Sequence, residues 1–321
     1  VKISVCVITY NQKKYIRKCL EGITKQVFPD GFEVVIRDDM SNDGTLDEIK
    51  EFIATQDNPN IVFNLIDSNI NLGPNKNLFK VMNSAKGDFL AFCEGDDYWC
   101  DDYKLAKQYK ESCQNNNCDF FVHPAYYEYN DGKIEKKTWP IIDRANPTVD
   151  DIFKSSWQFA PTSSYFIRKK VIDDLPDWIK EATIADIYIE FYASLNGIIV
   201  NQEYMSVYRF EAEGSWSKKM KSKNLLAMKK AMAHYENFNL CLERIKNDYP
   251  QFDKSIYVKL SNNYFQLAVL YLGSKDFTKF RQFIDLWKAN STNASIIRSF
   301  FYMFKNYNNL SLLLYKLKRR V

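Results

Sequence analysis

A chain of 321 residues that is 46% hydrophobic and 16% aromatic is long enough to bury one large core and one smaller one, which excludes a disordered chain or a small disulfide-stapled fold. Its net charge of +4 hides a division: from Lys218 onward stand 20 Lys and Arg against 6 Asp and Glu, or +14, and of the totals of 44 and 40 this leaves 24 against 34, or −10, before it. No run of 18 apolar residues offers a membrane span, residues 5–8 are too short for the apolar part of a signal peptide, and seven scattered cysteines without a CxxC pair point to packed, reduced thiols, so a cytoplasmic protein is the expectation.

Residues 3–8 are a β-branched run closed by the polar Thr9, Tyr10 and Asn11, and residues 32–36 are another, followed by Asp38, Asp39 and Ser41. Both read as buried strands. Between them Tyr15, Ile16, Cys19, Leu20 and Ile23 recur at helical spacing. The alternation continues, with residues 46–53 helical in period, 61–66 strand-like, 78–85 helical, and 89–93 a strand closed by Glu94, Asp96 and Asp97. Short strands alternating with helices predict a mainly parallel sheet covered on both faces. In such sheets ligands bind beyond the carboxyl ends of the strands, and the polar residues after these three strands predict one shared crevice.

Residues 120–129 and 163–167 are candidate strands around a polar loop, expected to complete the sheet and shape an acceptor pocket. From residue 223 onward Leu, Met, Tyr and Phe recur at three- and four-residue steps without strand alternation, the pattern of an appended helical region. The expected domains are 1–217 and 218–321.

In Glu94-Gly95-Asp96-Asp97, three carboxylates follow an apolar strand within four positions. Such crowding of like charge is relieved by a hard divalent cation, Mn²⁺ or Mg²⁺; the alternative is a solvated acidic turn before a helix beginning near Asp101. In Arg37-Asp38-Asp39-Met40-Ser41-Asn42-Asp43-Gly44-Thr45, Asp39 is suited to accept an N–H of a pyrimidine ring. The same stretch also reads as an Asx-rich turn with Gly44 at positive φ and Asp43 capping the next helix. By its position alone, Asp186 reads as a helix N-cap. His123 and His234 are the only histidines, too few for a histidine zinc site.

Together and in order, these stretches resemble the inverting glycosyltransferase family 2, which uses the GT-A fold, across residues 1–217. The strand with Thr9-Tyr10-Asn11 is the first signal, and residues 37–45 look like the family's DDxSxDGT turn. Asn71-Leu72-Gly73 with Lys76 and Asn77 looks like its NxGxxxxRN stretch, and Glu94 to Asp97 is similar to its DxD motif. Downstream, Ala185-Asp186 precedes a helical stretch, and residues 205–217, MSVYRFEAEGSWS, are similar to the family's YRxHxxGxWS stretch.

The resemblance implies Asp186 as catalytic base and Thr9, Tyr10, Asn11, Asp39, Lys76 and Asp96 as donor-binding residues. It implies Mn²⁺ or Mg²⁺ on Asp97, Asp96, Glu94 and Glu211, with Glu211 standing where the family often has His, and acceptor contacts from Ser163, Ser164 and Trp216. The implied partners are a nucleotide-sugar donor, a UDP-sugar foremost, and a glycan or lipid-linked acceptor in bacterial surface polysaccharide or glycoprotein glycan synthesis. A nucleotidyltransferase would open on a Gly-rich loop, which Thr9-Tyr10-Asn11-Gln12-Lys13 lacks; a catalytically inactive sugar- or lipid-binding scaffold is the non-enzyme alternative. Leucines beside Lys316, Lys318, Arg319 and Arg320 suit a basic amphipathic helix on an anionic membrane surface, hence a peripheral protein on the inner face of the cell membrane; a packed terminal helix with a solvated basic end fits the same residues. No nucleic-acid reader motif accompanies the charge, so no nucleic-acid partner is expected.

Overall fold

In the computed structural model, which describes residues 1–141, 146–155, 158–213, 225–291 and 296–318, the two β-branched runs near the N-terminus lie side by side in a seven-stranded sheet. Trp216, Arg319 and Arg320 lie outside the described residues. The chain divides into two compact units, Val1–Lys218 and Lys219–Val321.

The first unit begins β1 (Ile3–Thr9), α1 (Lys13–Thr24), β2 (Phe32–Asp38), α2 (Thr45–Ala54), β3 (Ile61–Leu65), α3 (Pro74–Ser84), β4 (Phe89–Phe92) and β5 (Tyr98–Trp99). It continues with α4 (Lys104–Gln114), β6 (Phe120–Val122), β7 (Ala125–Glu128), β8 (Ile134–Lys136), α5 (Val149–Lys154) and β9 (Phe166–Arg168). It ends with α6 (Lys169–Asp173), α7 (Asp186–Ser194), β10 (Ile198–Val200) and β11 (Ser206–Arg209).

The large sheet runs β10-β6-β9-β4-β1-β2-β3 and is parallel except for β9, which is antiparallel to β4 and β6. Every residue of β2 is buried, as expected of a strand covered on both faces. Ile16, Cys19, Leu20 and Ile23 of α1 and Ile49 and Phe52 of α2 pack with Val5, Val34 and Ala91 in one core. Each Val, Leu, Ile or Phe side chain among them contributes about 1.5–3 kcal/mol on burial.

Pairing in register sets the strand ends beside each other. Thr9 pairs with Asp38 across β1 and β2, and the ladders extend past the strands: Asp39 N–H donates to Thr9 O at 2.9 Å and Gly95 N–H to Ile8 O at 3.0 Å. The three polar strand ends therefore share one edge.

Two expected strands are corrected. Residues 120–129 are not one strand: β6 stays in the large sheet, and after His123-Pro124 the chain enters a second sheet as β7, in the order β5-β11-β7-β8. Proline lacks the N–H that a continuing central strand needs. Of residues 163–167, only the end is strand; Thr162–Ser164 is a 3₁₀ turn after Pro161. The helix expected near Asp101 starts at Lys104.

In the second unit the described residues form five α-helices, one 3₁₀ turn (Pro250–Phe252) and no strand: α8 (Leu225–Asp248), α9 (Asp253–Gly273), α10 (Phe277–Asn290), α11 (Ile296–Met303) and α12 (Asn308–Lys318). Phe265, Leu267, Leu272, Phe280, Ile284, Trp287 and Phe301 form its core. Among the described residues no helix is long and apolar enough to cross a membrane.

Candidate active site

The loops after β1 and β2 are stitched together. Asn11 N–H donates to Ser41 Oγ at 2.7 Å and Gln12 N–H to Thr45 Oγ1 at 2.8 Å. Asn11 Oδ1 accepts Asn42 N–H at 2.9 Å, and Asn11 itself is left-handed, at φ 54°, a conformation asparagine tolerates. Gly44 has the positive φ expected of it, 89°. Asp43 Oδ1 accepts Thr45 N–H at 3.0 Å at the start of α2. Tyr10 stands 40% exposed beyond the strand.

Asp39 is buried and caged. Oδ1 accepts from Arg37 Nη1 and Leu72 N–H, each at 2.8 Å, and Oδ2 accepts from Gly73 N–H at 2.8 Å. A carboxylate oxygen has two acceptor sites, so Oδ2 keeps one for a further donor such as a ring N–H. Asn71 Nδ2 also donates to Asp39 O at 2.7 Å. Asp39 is thus a fixed acceptor on a rigid frame.

The acidic turn lies next to it on the sheet edge. Asp97 N–H closes the turn onto Glu94 O at 2.9 Å. A Cβ on Gly95 would lie 2.5 Å from Gln12 Oε1 and 2.9 Å from Thr9 Cβ, so this approach to β1 requires glycine. Thr9 Oγ1 and Gln12 Oε1 are buried at this corner with no hydrogen-bond partner among the described residues. The corner holds unused hydrogen-bonding capacity.

Burial pushes all three carboxyls up. Glu94 is raised well above its usual value by burial, then by Asp186, Asp96 and Asp97; Asp97 rises by burial and by Asp96, against the Arg209 N–H. Asp96 rises by burial, opposed by its own N–H, Arg209 and Gln12. Asp186 itself is pushed from 3.8 up to about 6 by burial. It is the first residue of α7, the N-cap is Ala185, and no side chain caps the helix. The capping alternative for Asp186 is therefore not what the fold uses.

Arg209 is the compensating cation, and the sequence reading gave it no role. Its N–H donates to Asp97 Oδ1 at 3.0 Å, Nη1 to Asp96 O at 2.6 Å and Nε to Glu128 Oε2 at 2.9 Å. Its guanidinium lies over Tyr98 and Tyr15, 4.7 and 5.0 Å from the ring centroids. The signal that pointed to it was present: Arg209 is the only cation in residues 205–217. Glu190, one turn after Asp186, was also missed; its Oε1 accepts Ala160 N–H at 2.9 Å and Tyr165 OH at 2.7 Å.

Other expected residues fall elsewhere. Ser163 and Ser164 are fully buried, with Ser163 Oγ 2.9 Å from Ser206 Oγ and Ser164 Oγ donating to Pro161 O at 2.7 Å. Closed hydroxyls without surface have nothing to offer an acceptor, which corrects that expectation. The Lys76 side chain, 48% exposed, pairs with Glu181 at 2.9 Å; two residues separate Gly73 from Lys76 where the NxGxxxxRN pattern has four. Glu211 is half-buried and left-handed, at φ 58°.

Among the described residues, no three His, Cys, Asp or Glu side chains stand in ligating geometry. Mg²⁺ or Mn²⁺ shared with a diphosphate needs only one or two protein carboxylates, the other oxygens coming from phosphate and water. Asp96 and Asp97 fit that need: both lie beside the Arg209 guanidinium, in a cluster of four raised carboxyls.

Residues 4–175 match the profile of the family described as Glycosyl transferase family 2. An uncharacterised protein of Mycobacterium tuberculosis is 34% identical over 216 residues, which are 67% of this chain and 60% of that protein. The chain thus spans about 60% of the length of this relative. The Staphylococcus aureus poly(ribitol-phosphate) beta-N-acetylglucosaminyltransferase TarS is 37% identical over 99 residues, 30% of this chain and 17% of TarS. The crystal structure of TarS 1–349 in complex with UDP-GlcNAc matches with a TM-score of 0.70 at 19% identity, over 100% of this chain and 92% of that one. The mannosyltransferase of Pyrobaculum calidifontis in complex with GDP-Man and Mn²⁺ matches with a TM-score of 0.58 at 14% identity, over 97% and 86%. At these identities the structural likeness shows the fold.

Proposed function

This chain belongs to glycosyl transferase family 2, and on that premise we propose that it moves a sugar from a nucleotide-diphosphate donor to a hydroxyl of a cell-surface glycan or lipid-linked acceptor, with inversion in a single displacement. UDP is the favoured nucleotide and a glycan polymer the favoured acceptor, since the similar TarS carries UDP-GlcNAc in its structure and poly(ribitol-phosphate) in its name. The observation that carries the reading is the shared sheet edge, where Asp39 N–H bonds to Thr9 O and Gly95 N–H to Ile8 O, so that Asp39 and the acidic turn flank one strand end, with the charge of Asp186, 92 positions after Glu94 in the chain, near enough to raise the Glu94 carboxyl.

Asp186 takes the proton of the attacking hydroxyl. A carboxyl at about 6 is ionised at neutral pH yet basic enough to accept a proton in the transition state. Asp39 receives the ring N–H at the open side of Oδ2, Tyr10 stacks on the base, and Thr9 and Asn11 line the same edge. Asp96 and Asp97 would hold Mn²⁺ or Mg²⁺, with Glu94 and Glu211 adding negative charge nearby; the bound cation supplies charge neutralisation for the departing diphosphate. Arg209 holds both aspartates from behind, and Lys76 adds positive charge at the mouth of the site.

Residues 1–217 are the proposed catalytic domain. Residues 218–321 form the proposed contact with an anionic membrane on the cytoplasmic face: after Asp285 the sequence has seven Lys and Arg and no acidic residue. Ile296, Ile297, Phe300 and Met303 of α11 and Leu310, Leu313 and Leu317 of α12 are exposed. Apolar surface with surplus positive charge suits a bilayer of anionic headgroups.

The test is turnover. The protein is incubated with UDP- and GDP-sugars and Mn²⁺, and nucleotide release is followed with and without glycan acceptors. Release from one donor class, lost in Asp186→Asn with donor affinity kept, is the expected result; binding without release from any donor would mark a scaffold and sink the proposal.

A further inference from the structure

Residues 71–77 do two jobs at once. Their first part cages Asp39: Leu72 N–H and Gly73 N–H donate to its two carboxylate oxygens, and Asn71 Nδ2 to its carbonyl. Their last part braces Arg37, the other partner of Asp39, through Arg37 Nη1 donating to Asn77 Oδ1 at 2.7 Å. Between them, Asn75 reaches away from the sheet to another part of the chain. Its Nδ2 donates to Ile179 O and Ala182 O, both at 2.8 Å, with Lys180 O at 3.3 Å.

Those carbonyls belong to the 3₁₀ turn Asp177–Glu181 and the residue after it, just before α7 and Asp186. Ile179 is fully buried and Ala182 nearly so. The Lys76–Glu181 ion pair links the same two segments, but both side chains are exposed and such pairs contribute little. Asn75 is therefore the main polar tie. The amide commits its donors to it while its own Oδ1 is buried without a partner among the described residues, a condition that costs stability. A side chain that only filled space would not sustain that imbalance.

We propose that Asn75 is a positioning residue that holds the segment presenting Asp186 against the same short stretch that cages Asp39, so that the nucleobase acceptor and the catalytic base are set in place by one element. The proposal rests on the roles given above to Asp39 and Asp186. Its physical content is that the distance between base pocket and proton acceptor is fixed by backbone carbonyls gripped from α3, and loosening that grip misplaces the carboxylate without altering the pocket. A misplacement of about 1 Å is enough to slow a reaction about 100-fold.

The experiment compares wild type, Asn75→Asp and Asn75→Gln by UDP affinity, kcat and donor KM, with thermal melts as a check on folding. Asn75→Asp keeps the shape but loses both donors; Asn75→Gln keeps an amide NH₂. The expected result is a kcat lowered about 10–100-fold in Asn75→Asp, with UDP affinity and donor KM within about threefold of wild type, and partial recovery in Asn75→Gln. An unchanged kcat overturns the proposal, as does weakened UDP affinity at constant kcat, since Asn75 would then serve the base pocket instead. If Asn75→Asp does not fold, Asn75→Ala takes its place in the comparison. Were the wild type to turn over no donor, the functional reading would have failed by itself. Amide hydrogen exchange across residues 182–189, faster in the variant if the tie holds and equal if it does not, would still decide the tie.

Discussion

Replacing Asp186 by Asn is expected to remove activity and at the same time stabilise the protein, and the second effect follows from the burial of this carboxyl. In the fold it titrates at about 6 instead of 3.8, so folding disfavours its charged form. The sign follows: with the folded value raised, the unfavourable contribution is absent below 3.8, grows as pH rises, and is complete above 6. Integrated over that range it is about 3 kcal/mol at pH 8, roughly half of that at pH 5 and under about 1 kcal/mol at pH 4. Because the charge of Asp186 also raises Glu94, the gain belongs to the cluster rather than to one group.

Urea unfolding of wild type and Asp186→Asn at pH 4, 5 and 8, in EDTA, reads this directly. The variant is expected to be more stable at pH 8, by an amount that shrinks toward pH 4, while transfer falls by about 10²–10⁴-fold, the usual contribution of a general base. Wild-type activity should decline below pH 6 as the base takes up its proton. A variant less stable than wild type at pH 8, or a stability difference independent of pH, would refute the assignment of a strained, buried carboxylate.

Three further outcomes are expected. Gly95→Ala places a methyl 2.5 Å from Gln12 Oε1 and 2.9 Å from Thr9 Cβ; β1 is paired on both sides and cannot retreat, so a loss of about 1–3 kcal/mol should appear in the thermal melt together with weakened UDP binding. UDP titrated with and without Mn²⁺ should bind more tightly with the ion in wild type and lose that enhancement in Asp96→Ala or Asp97→Ala; affinity indifferent to both metal and substitution would remove the metal from the reading. Sedimentation with phosphatidylglycerol vesicles, weak with phosphatidylcholine and reduced by Phe300→Ser with Leu313→Ser, is expected of the helical region; equal recovery with both lipids and both proteins would dismiss the membrane contact.

Much of this was legible in the residues themselves. Apolar runs such as residues 3–8 and 32–36 declare buried strands because a strand covered on both faces has no polar side to show, and the polar residues after them mark the edge where ligands bind. Turn chemistry is equally local: Gly44 adopts positive φ and Asp43 accepts from Thr45 within the turn, although the N-cap of α2 is Gly44 and no side chain caps the helix. The break at His123-Pro124 was written in the proline and was overlooked, because aromatic alternation on either side reads as one strand.

Other features have no local signature. Whether Asp97 and Asp186 act as solvated turn residues or as strained carboxylates depends on how much of each is buried and on which charges arrive from elsewhere. Ser163 and Ser164 look available in sequence and are sealed by Ser206 and Pro161. Arg209, 112 positions after Asp97, and Asn75, about 105 before the carbonyls it grips, are single polar residues without periodicity. Strand, helix and turn follow from neighbours in the chain, since backbone sterics and side-chain period act over a few residues; the joining of Asp39, the acidic turn and Asp186 into the proposed site follows from sheet register and the contacts of α3, which only the folded chain establishes.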